Sequence, residues 1–462
     1  MNKLLLAFLL ILSIKSAFAQ SRFKISYEVL KAYEGKYEYA DNTTLSIAAS
    51  PRDTLLYAVI LKGRYPLRPV GKDIFLNNGN DSVRFVRDNE NRISGYEVGK
   101  DQFKLLSRDV VFPKQMWYAR LNAGKYVYSR PKNTGDGLAT GDLKGSGLNP
   151  ALLAEMINKI SSEQYKGVHG ILILKSNKLV FEEYFYEYTI DSLHELRSAT
   201  KSFVSALMGL AIEKGSIHSV NDPVLPYFPG YTPANNSALK SQITISHLLS
   251  NQSGLDCDIS NPDSEGNETK MNYSDDWVKF TLDLPMIDVP GGKGMYCSGN
   301  VVTLGKIIEN ATKMTLPTFA NKNLFEPLGI KKFSWNFKPD KSNAEDFCQV
   351  YLRPRDMAKL GLVYMNEGKY NGKQIVSANW VKASLSQHSA VENVKYGYLW
   401  WLKYLDSNGD RYQGMAAQGN GGQRIFLFPE QDLVVVTTGG NYNMQSPADE
   451  LISKYILASF NK

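Results

Sequence analysis

Apolar and polar side chains alternate in short segments between residues 33 and 98, and turn-forming residues separate these segments. Because successive side chains of a strand point to opposite faces of a sheet, this alternation predicts β-strands. We place strands at residues 33–39, 44–49, 55–60, 73–76, 82–87 and 93–98. Their short lengths and close spacing predict a small antiparallel β-barrel or sandwich, which we assign to residues 25–108.

The pattern changes after residues 109–147, a segment without regular periodicity that we predict to be a linker or wrapping arm. Helical spacing follows at residues 150–160, 198–214 and 448–460. Strands are predicted at residues 170–180, 182–188, 396–404, 411–416 and 433–438, with the hairpin turn Asn408-Gly409 between two of them. Residues 148–462 are thus expected to form an α+β domain with an antiparallel sheet, flanking helices and a mostly helical insertion at residues 222–380.

The first residues have the pattern of a secretory signal peptide. Lys3 precedes an apolar run at residues 4–14, and the small residues Ala17 and Ala19 follow. The run is too short to cross a bilayer, so we expect cleavage after Ala19 rather than a transmembrane anchor. The sequence therefore predicts an exported protein, either periplasmic or secreted.

Composition excludes several classes of function. The formal charge of +7 is spread along the 462 residues, and no basic patch with interleaved aromatic residues indicates a nucleic-acid partner. Cys257, Cys297 and Cys348 are too few and too widely spaced for a zinc cluster, and they allow at most one disulfide. We expect no metal and no cofactor. Neither a Gly-x-Ser-x-Gly elbow nor a His-Glu-x-x-His helix occurs.

The tetrapeptide Ser198-Ala199-Thr200-Lys201 is the first candidate for chemistry. Residues three apart lie on one face of a helix, so Lys201 can direct its amine at the Ser198 hydroxyl. A neighbouring amine that accepts its proton is one of the few ways to activate a serine without histidine. The alternative is that Ser198 merely caps the N-terminus of this helix.

Two later segments complete a set of motifs. Tyr296-Cys297-Ser298 lies in a glycine-flanked loop, and the glycine-rich residues 417–423 lead into a strand at 424–428. This order resembles that of the serine β-lactamase and penicillin-binding-protein superfamily. The sequence segments at residues 196–203, 245–255 and 396–401 resemble those of the class C branch. Within that branch they are most similar to the esterases and 6-aminohexanoate-oligomer hydrolases. The resemblance covers residues 131–462, and residues 25–108 resemble a lipocalin-like β domain.

The resemblance implies a mechanism and a site. Ser198 would form an acyl-enzyme with a small ester, amide or peptide, while Lys201 and Tyr296 share the proton that Ser198 loses. Because these two groups interact, we expect them to titrate as a unit. The backbone N–H groups of Ser198 and Asn420 would form the oxyanion hole. Substrate-binding roles fall to the neighbouring Ser298, Gly419 and Gln418.

Two departures from the β-lactamase pattern affect the expected substrate. The third motif aligns as Ala417-Gln418-Gly419, so alanine stands where the family has a cation for the substrate carboxylate, and Ser298 stands where the family has Asn. Both changes favour an ester or an unactivated amide over a β-lactam. Arg424 or Lys293 could replace the lost charge. The alternative function is a penicillin-binding or cell-wall-peptide-binding sensor with little turnover.

Five further residues have a structural and a functional interpretation. We interpret Cys297 as a small buried filler rather than a reactive thiol, and His247 as a structural histidine rather than a catalytic one. Asp356 is expected to support a helix N-terminus. Trp400 and Trp401 alternate on a strand, so that one belongs to the core and the other is free to line the cleft.

Overall fold

The computed structural model describes residues 23–39, 43–60, 63–121, 124–337 and 349–460. These residues form two compact units, of which the first contains most of residues 23–110 and the second contains the described residues from 111 to 460. The predicted signal peptide and Cys348 lie outside the described residues. The domain boundaries drawn from the sequence at residues 108 and 147 stay predictions.

Eight antiparallel strands of the first unit close into a barrel in chain order, with the last strand paired to the first. A short helix, α1 (Tyr27–Leu30), precedes them. The strands are β1 (Gly35–Tyr39), β2 (Thr43–Ala49), β3 (Leu56–Ile60), β4 (Gly63–Gly71), β5 (Ile74–Leu76), β6 (Ser82–Arg87), β7 (Ile93–Val98) and β8 (Asp101–Ser107). Because the strand pairing is closed, the domain is a barrel and not a sandwich, the two forms that the sequence left open.

Aromatic side chains fill the barrel. Tyr33, Phe75 and Phe85 contact one another edge to face at centroid distances between 4.9 and 5.5 Å. Tyr37 joins them, and all four are buried. Such edge-to-face pairs add to the free energy gained by burying the rings. The alternating positions predicted for residues 33–98 therefore supply this core.

The second unit is built on an eight-stranded antiparallel sheet with the order β10-β9-β21-β20-β19-β18-β17-β16. Its strands are β9 (Val168–Lys175), β10 (Lys178–Tyr184), β16 (Ser389–Val391), β17 (Val394–Tyr396), β18 (Trp401–Ser407), β19 (Asp410–Gly419), β20 (Gln423–Phe428) and β21 (Leu433–Gly439). Shorter strands form two small sheets: β11 (His194–Glu195), β12 (Ser334–Trp335) and β13 (Val350–Leu352), and β14 (Lys369–Tyr370) and β15 (Lys373–Gln374).

Every residue of β20 and β21 is buried, which shows that both faces of the sheet are covered at these strands. Helices pack against the sheet. The helices are α2 (Pro150–Ser161), α3 (Thr200–Glu213), α4 (Ile245–Leu249), α5 (Glu268–Asn272), α6 (Trp277–Asp283), α7 (Ser298–Thr312), α8 (Leu316–Ala320), α9 (Pro354–Met365), α10 (Ala378–Ser384) and α11 (Ala448–Leu451). Gly361 brings α9 directly onto β20 and β21, since an added Cβ would meet Ile425 and Val434. The fold is α+β, as predicted, but α9 packs on the sheet and does not belong to the helical insertion.

Several elements differ from their predicted form. The strands predicted at residues 170–180 and 182–188 are found at Val168–Lys175 and Lys178–Tyr184, because the chain turns at Ser176 and Asn177. The single strand predicted at residues 396–404 is wrong: the backbone turns at residues 397–400, where the Gly397 N–H donates to the Trp400 carbonyl and Leu399 has a φ of 62°. The segment predicted as a helix at residues 448–460 is helical from Ala448 to Ser459, but only its first turn is α-helical. After α11 the chain continues as a π-helix at Ile452–Ile456 and a 3₁₀ turn at Leu457–Ser459.

The segment predicted as a wrapping arm runs along the edge of the large sheet. Ala139 and Gly141 exchange backbone hydrogen bonds with Leu179 on β10, and the Tyr128 hydroxyl donates to the Val180 carbonyl at 2.9 Å. These contacts pair a strand edge that would otherwise expose its polar backbone. None of the helices in the described ranges combines the length and the apolar character needed to cross a membrane.

Candidate active site

The Ser198 hydroxyl and the Lys201 amine are in hydrogen-bond contact. Lys201 Nζ donates to Ser198 Oγ at 2.9 Å, which is the geometry expected of residues three apart on a helix. Ser198 lies in a 3₁₀ turn at Arg197–Ala199, and the cap residue of α3 is Ala199, without a side-chain hydrogen bond. The Ser198 side chain is therefore not used for capping, and its hydroxyl is directed to the lysine.

The backbone has an unusual conformation at Arg197, directly before Ser198. Arg197 has a φ of 48°, a left-handed conformation that is uncommon for a residue with a side chain. Two contacts fix this residue: its guanidinium lies 4.6 Å from the centre of the Tyr442 ring, and its Nε lies 3.2 Å from a Glu195 carboxylate oxygen. The sharp turn before Ser198 is thus supported by neighbouring side chains.

Tyr296 lies beside the lysine in the loop that leads into α7. Lys201 Nζ is 5.1 Å from the centre of the Tyr296 ring, and the ring packs against Trp401 at 5.2 Å. Behind it lies Tyr396, whose pKa burial raises well above its ordinary value. The structure thus brings Ser198, Lys201 and Tyr296 together.

The backbone of this loop is anchored by Asn251, which follows α4. The Asn251 carbonyl accepts from the Met295 N–H at 2.9 Å, and its side-chain oxygen accepts from the Asn300 side chain at 3.2 Å. Asn251 lies in the segment at residues 245–255 that carried part of the family resemblance. Its contacts give that segment a structural role, since they hold the Tyr296 loop against the site.

Ser298 links the lysine to a carboxylate that the sequence did not reveal. Ser298 Oγ accepts from Lys201 Nζ at 3.1 Å and donates to Glu268 Oε1 at 2.5 Å. Glu268 is the first residue of α5, thirty positions before Ser298 in the chain. No motif or periodicity relates these two positions, so spacing alone could not pair them.

A disulfide joins Cys257 and Cys297, next to Tyr296. Both residues are buried, as expected for Cys297, but the interpretation of Cys297 as a simple filler is wrong because its sulfur is covalently bonded. The same bond excludes a reactive thiol at this position. The sequence allowed one disulfide but contained no signal for choosing its partners.

The end of β19 brings Gly419 against the nucleophile. An added Cβ at position 419 would lie 3.2 Å from the Ala199 nitrogen and would overlap the Leu196 carbonyl oxygen. Only glycine allows this approach of the strand to the Ser198 turn. Asn420 follows directly, and its side chain is exposed and hydrogen-bonded to Asn443.

The other two residues of the third motif, Ala417 and Gln418, lie on opposite faces of β19. Ala417 is fully buried on the same face of β19 as Gly419, because side chains two apart on a strand share a face. Gln418 points to the opposite face, where its Oε1 accepts from Lys403 Nζ at 3.2 Å. The structure therefore does not bring the predicted substrate-binding Gln418 to the nucleophile.

Arg424 and Lys293 are the two cations considered as replacements for the charge that is missing at position 417. Arg424 is buried and donates to Asp449 at 2.8 Å and to the Gly419 carbonyl at 3.0 Å. Burial alone would raise the pKa of Asp449, but Arg424 and Lys403 together hold that pKa below its ordinary value. Lys293 is exposed on its loop. The Arg424 guanidinium is thus already paired with Asp449, a carboxylate that it shares with Lys403.

The remaining candidates have structural contacts. His247 Nδ1 accepts from the Thr244 N–H, Thr244 Oγ1 accepts from the His247 N–H, and burial lowers the pKa of this histidine. Asp356 lies in the first turn of α9 and pairs with Arg353 at 2.7 Å. Trp400 is fully buried against Tyr364, whereas Trp401 packs on Tyr296.

The chain is similar to known proteins in both sequence and fold. Residues 157–451 match the family model described as Beta-lactamase. Over 290 residues the chain is 25% identical to the 6-aminohexanoate-dimer hydrolase of Paenarthrobacter ureafaciens, a similarity that covers 58% of this chain and 71% of that enzyme.

Solved structures are similar in fold. EstCE1, described as a hydrolase with promiscuous acyltransferase activity, matches with a TM-score of 0.55 and 15% identity over 67% of this chain and 97% of its own. The octameric penicillin-binding protein homologue from Pyrococcus abyssi matches with a TM-score of 0.52 and 19% identity over 67% of this chain and 76% of its own.

Proposed function

We propose that this chain, which belongs to the beta-lactamase family, is an exported serine hydrolase that cleaves an ester or an amide. One observation carries this proposal: Lys201 Nζ lies 2.9 Å from Ser198 Oγ, so the nucleophile has a base within hydrogen-bond reach. The proposal includes export directed by residues 1–19 and the division into a β domain at 25–108, an arm at 109–147 and a hydrolase domain at 148–462.

The proposed reaction has two steps. Ser198 Oγ attacks the substrate carbonyl carbon, and its proton passes to the pair formed by Lys201 and Tyr296 and then to the leaving alcohol or amine. Water then attacks the acyl-enzyme, which releases the carboxylic acid and restores the Ser198 hydroxyl. The N–H groups of Ser198 and Asn420 would stabilise the oxyanion of both tetrahedral intermediates.

The surroundings of β19 favour a substrate without a carboxylate. Ala417 offers no charge, Gln418 points to the opposite face, and Arg424 is paired with Asp449. A carboxylate next to the scissile bond would therefore lose the charge-assisted hydrogen bond that a cation at position 417 provides. This supports neutral esters or amides as substrates.

The test is hydrolysis of short-chain p-nitrophenyl esters by the wild type and by Ser198→Ala. We expect the wild type to turn over these esters and Ser198→Ala to fall to the uncatalysed rate. Ser162→Ala, which changes an exposed serine at the end of α2, is the matched control and should keep the wild-type rate. Equal rates in the wild type and Ser198→Ala would contradict the proposal.

A second candidate is a penicillin-binding or cell-wall-peptide-binding sensor with little turnover. The likeness to a penicillin-binding protein homologue and the additional barrel support it. A fluorescent penicillin separates the two functions. A long-lived adduct on Ser198 without ester turnover would favour the sensor, whereas rapid ester turnover without an adduct would favour the hydrolase.

A further inference from the structure

Glu268 is connected to the nucleophile through a continuous chain of hydrogen bonds. Glu268 Oε1 accepts from Ser298 Oγ at 2.5 Å, and the same hydroxyl oxygen accepts from Lys201 Nζ at 3.1 Å. Lys201 also donates to Ser198 Oγ at 2.9 Å. The side chains of Lys201 and Ser298 are buried, whereas Glu268 is half-buried. The carboxylate therefore lies one hydroxyl away from the base.

We propose that Glu268 is a positioning residue that fixes the direction of the Ser298 hydroxyl. An ionised carboxylate only accepts hydrogen bonds, and a serine hydroxyl has a single proton. Once that proton is donated to Glu268, Ser298 can only accept from Lys201. This role rests on the proposed function, because it concerns the base that serves Ser198.

The direction of this hydroxyl matters when Lys201 acts as a base. A neutral amine has two N–H bonds and one lone pair, and the lone pair must face the Ser198 O–H to receive its proton. One N–H is donated to Ser298, which orients the amine. A Ser298 hydroxyl that was free to rotate could instead donate its proton to the lone pair and block the base.

No bond at Glu268 forms or breaks in this scheme. The Ser198 proton moves from Oγ to Lys201 Nζ, the Oγ–carbon bond forms, and the Ser298 proton stays on its own oxygen throughout. Glu268 therefore acts through Ser298, and its removal should lower kcat rather than substrate binding.

Several contacts hold the loop that carries Glu268 in place. Asn267 caps α5 by accepting from the Thr269 N–H at 3.0 Å, and its side-chain amide donates to the Asn261 carbonyl at 3.2 Å. An added Cβ at Gly266 would lie 2.8 Å from Cys257 Cα, so this loop packs closely on the disulfide. Lys270 on the same helix donates to the Ser264 carbonyl at 2.8 Å rather than to Glu268.

The test compares p-nitrophenyl ester hydrolysis by the wild type, Glu268→Ala and Glu268→Gln. We expect Glu268→Ala to lower kcat about tenfold to a hundredfold, as misorientation of a catalytic group does, with KM changed less than about twofold. Glu268→Gln should keep kcat within about fivefold of the wild type, because its amide oxygen still accepts from Ser298. If Glu268→Ala does not fold, Glu268→Leu, which is closer in size, replaces it.

The deciding measurement repeats the change in a Ser298→Ala background, where no hydroxyl remains to be misdirected. There Glu268→Ala should change kcat by less than about twofold, because the two residues act as one unit. An equal loss of kcat in both backgrounds would overturn the proposal, and so would a wild-type kcat in Glu268→Ala.

Two controls separate this proposal from the proposed function. Glu265→Ala removes an exposed carboxylate three positions earlier on the same loop and should keep the wild-type kcat. The rate measured with Ser198→Ala is subtracted from every other rate as the background. Ester turnover that survives in Ser198→Ala would refute the proposed function, whereas Ser198-dependent turnover that is indifferent to Glu268 would refute only the positioning role.

Discussion

Gly419 and Ala199 bring the end of a sheet strand and the nucleophile's turn into direct contact. A Cβ placed on Gly419 would lie 3.2 Å from the Ala199 nitrogen and would overlap the carbonyl oxygen of Leu196. Both neighbouring atoms are backbone, so they cannot rotate away as a side chain can. The close approach places Asn420, the residue after Gly419, next to this contact, and we propose its N–H as one donor of the oxyanion hole.

Gly419→Ala should therefore disable the site. The added methyl group forces β19 and the Ser198 turn apart, and a misplacement of about 1 Å costs on the order of a hundredfold in rate. Overpacking of this kind also costs about 1 to 3 kcal/mol of the free energy of unfolding. Ester kcat and urea denaturation measure the two effects. Wild-type kcat in Gly419→Ala would show that this contact does not determine the geometry of the site.

Ala417→Lys should raise acylation by a penicillin. Position 417 is buried on the same face of β19 as Gly419, so a lysine there has to extend along this face toward Gly419, where its amine would offer a charge-assisted hydrogen bond to the penicillin carboxylate. The expected gain is about 1.5 to 3 kcal/mol, roughly tenfold or more in the acylation rate. Neutral esters should not share it. Stopped-flow acylation by a chromogenic penicillin is the measurement.

Gln418→Lys is the matched control for this change, because it adds the same charge on the opposite face of β19, where Gln418 contacts Lys403. It should leave penicillin acylation unchanged. Equal acylation rates in the wild type and in folded Ala417→Lys would show that position 417 does not face the substrate, and the preference for uncharged substrates would lose its main support.

Local signals explain what the sequence could predict. Ser198 and Lys201 lie three apart on one helix, so their contact needs only helical geometry. Gly419 was identifiable because glycine is needed where two backbones approach. By contrast, strand β4 contains Pro66 and Pro69, residues that are depleted in strands, and it was not predicted.

Long-range pairing explains what the sequence could not predict. Glu268 meets Ser298 only because the loop after Cys257 folds back over the start of α7, and no periodicity encodes that path. The partner of Cys297 was undetermined for the same reason, since any pairing of three cysteines was possible. The break between β17 and β18 depends on the backbone at Leu399, which turns inside an otherwise apolar run.

Reduction of the disulfide should destabilise the protein. Cys257 and Cys297 are 40 residues apart, and a crosslink that closes a loop of this length contributes about 4 kcal/mol in the chain-entropy model. We expect dithiothreitol to lower the denaturation midpoint of the wild type and to lower ester kcat, because the bond holds the residue next to Tyr296. Urea denaturation with and without reductant measures the first effect.

The double variant Cys257→Ala/Cys297→Ala serves as the control for this experiment. It should be less stable than the oxidised wild type, and the reductant should not change its stability further. If dithiothreitol leaves the wild-type midpoint in place while thiol titration shows that the bond is reduced, the crosslink does not contribute to stability.

Asp449→Asn should lower stability in a pH-dependent way. Burial raises the pKa of Asp449, but Arg424 and Lys403 lower it more, so the folded pKa lies below the unfolded value of about 3.9. The carboxylate therefore stabilises the folded state fully above about pH 4, and this contribution is lost as the pH falls through the folded pKa. Loss of a charged hydrogen bond of this kind costs about 2 kcal/mol.

Urea denaturation of the wild type and Asp449→Asn at pH 7 and at decreasing pH values below 4 measures this difference. The gap between their free energies of unfolding should be largest at pH 7 and should shrink steadily as Asp449 becomes protonated. The variant should also lose ester activity at pH 7, because Arg424 donates to the Gly419 carbonyl at 3.0 Å and is oriented by Asp449. A gap that stays constant from pH 7 to the acid range would mean that the Asp449 charge does not stabilise this end of β19.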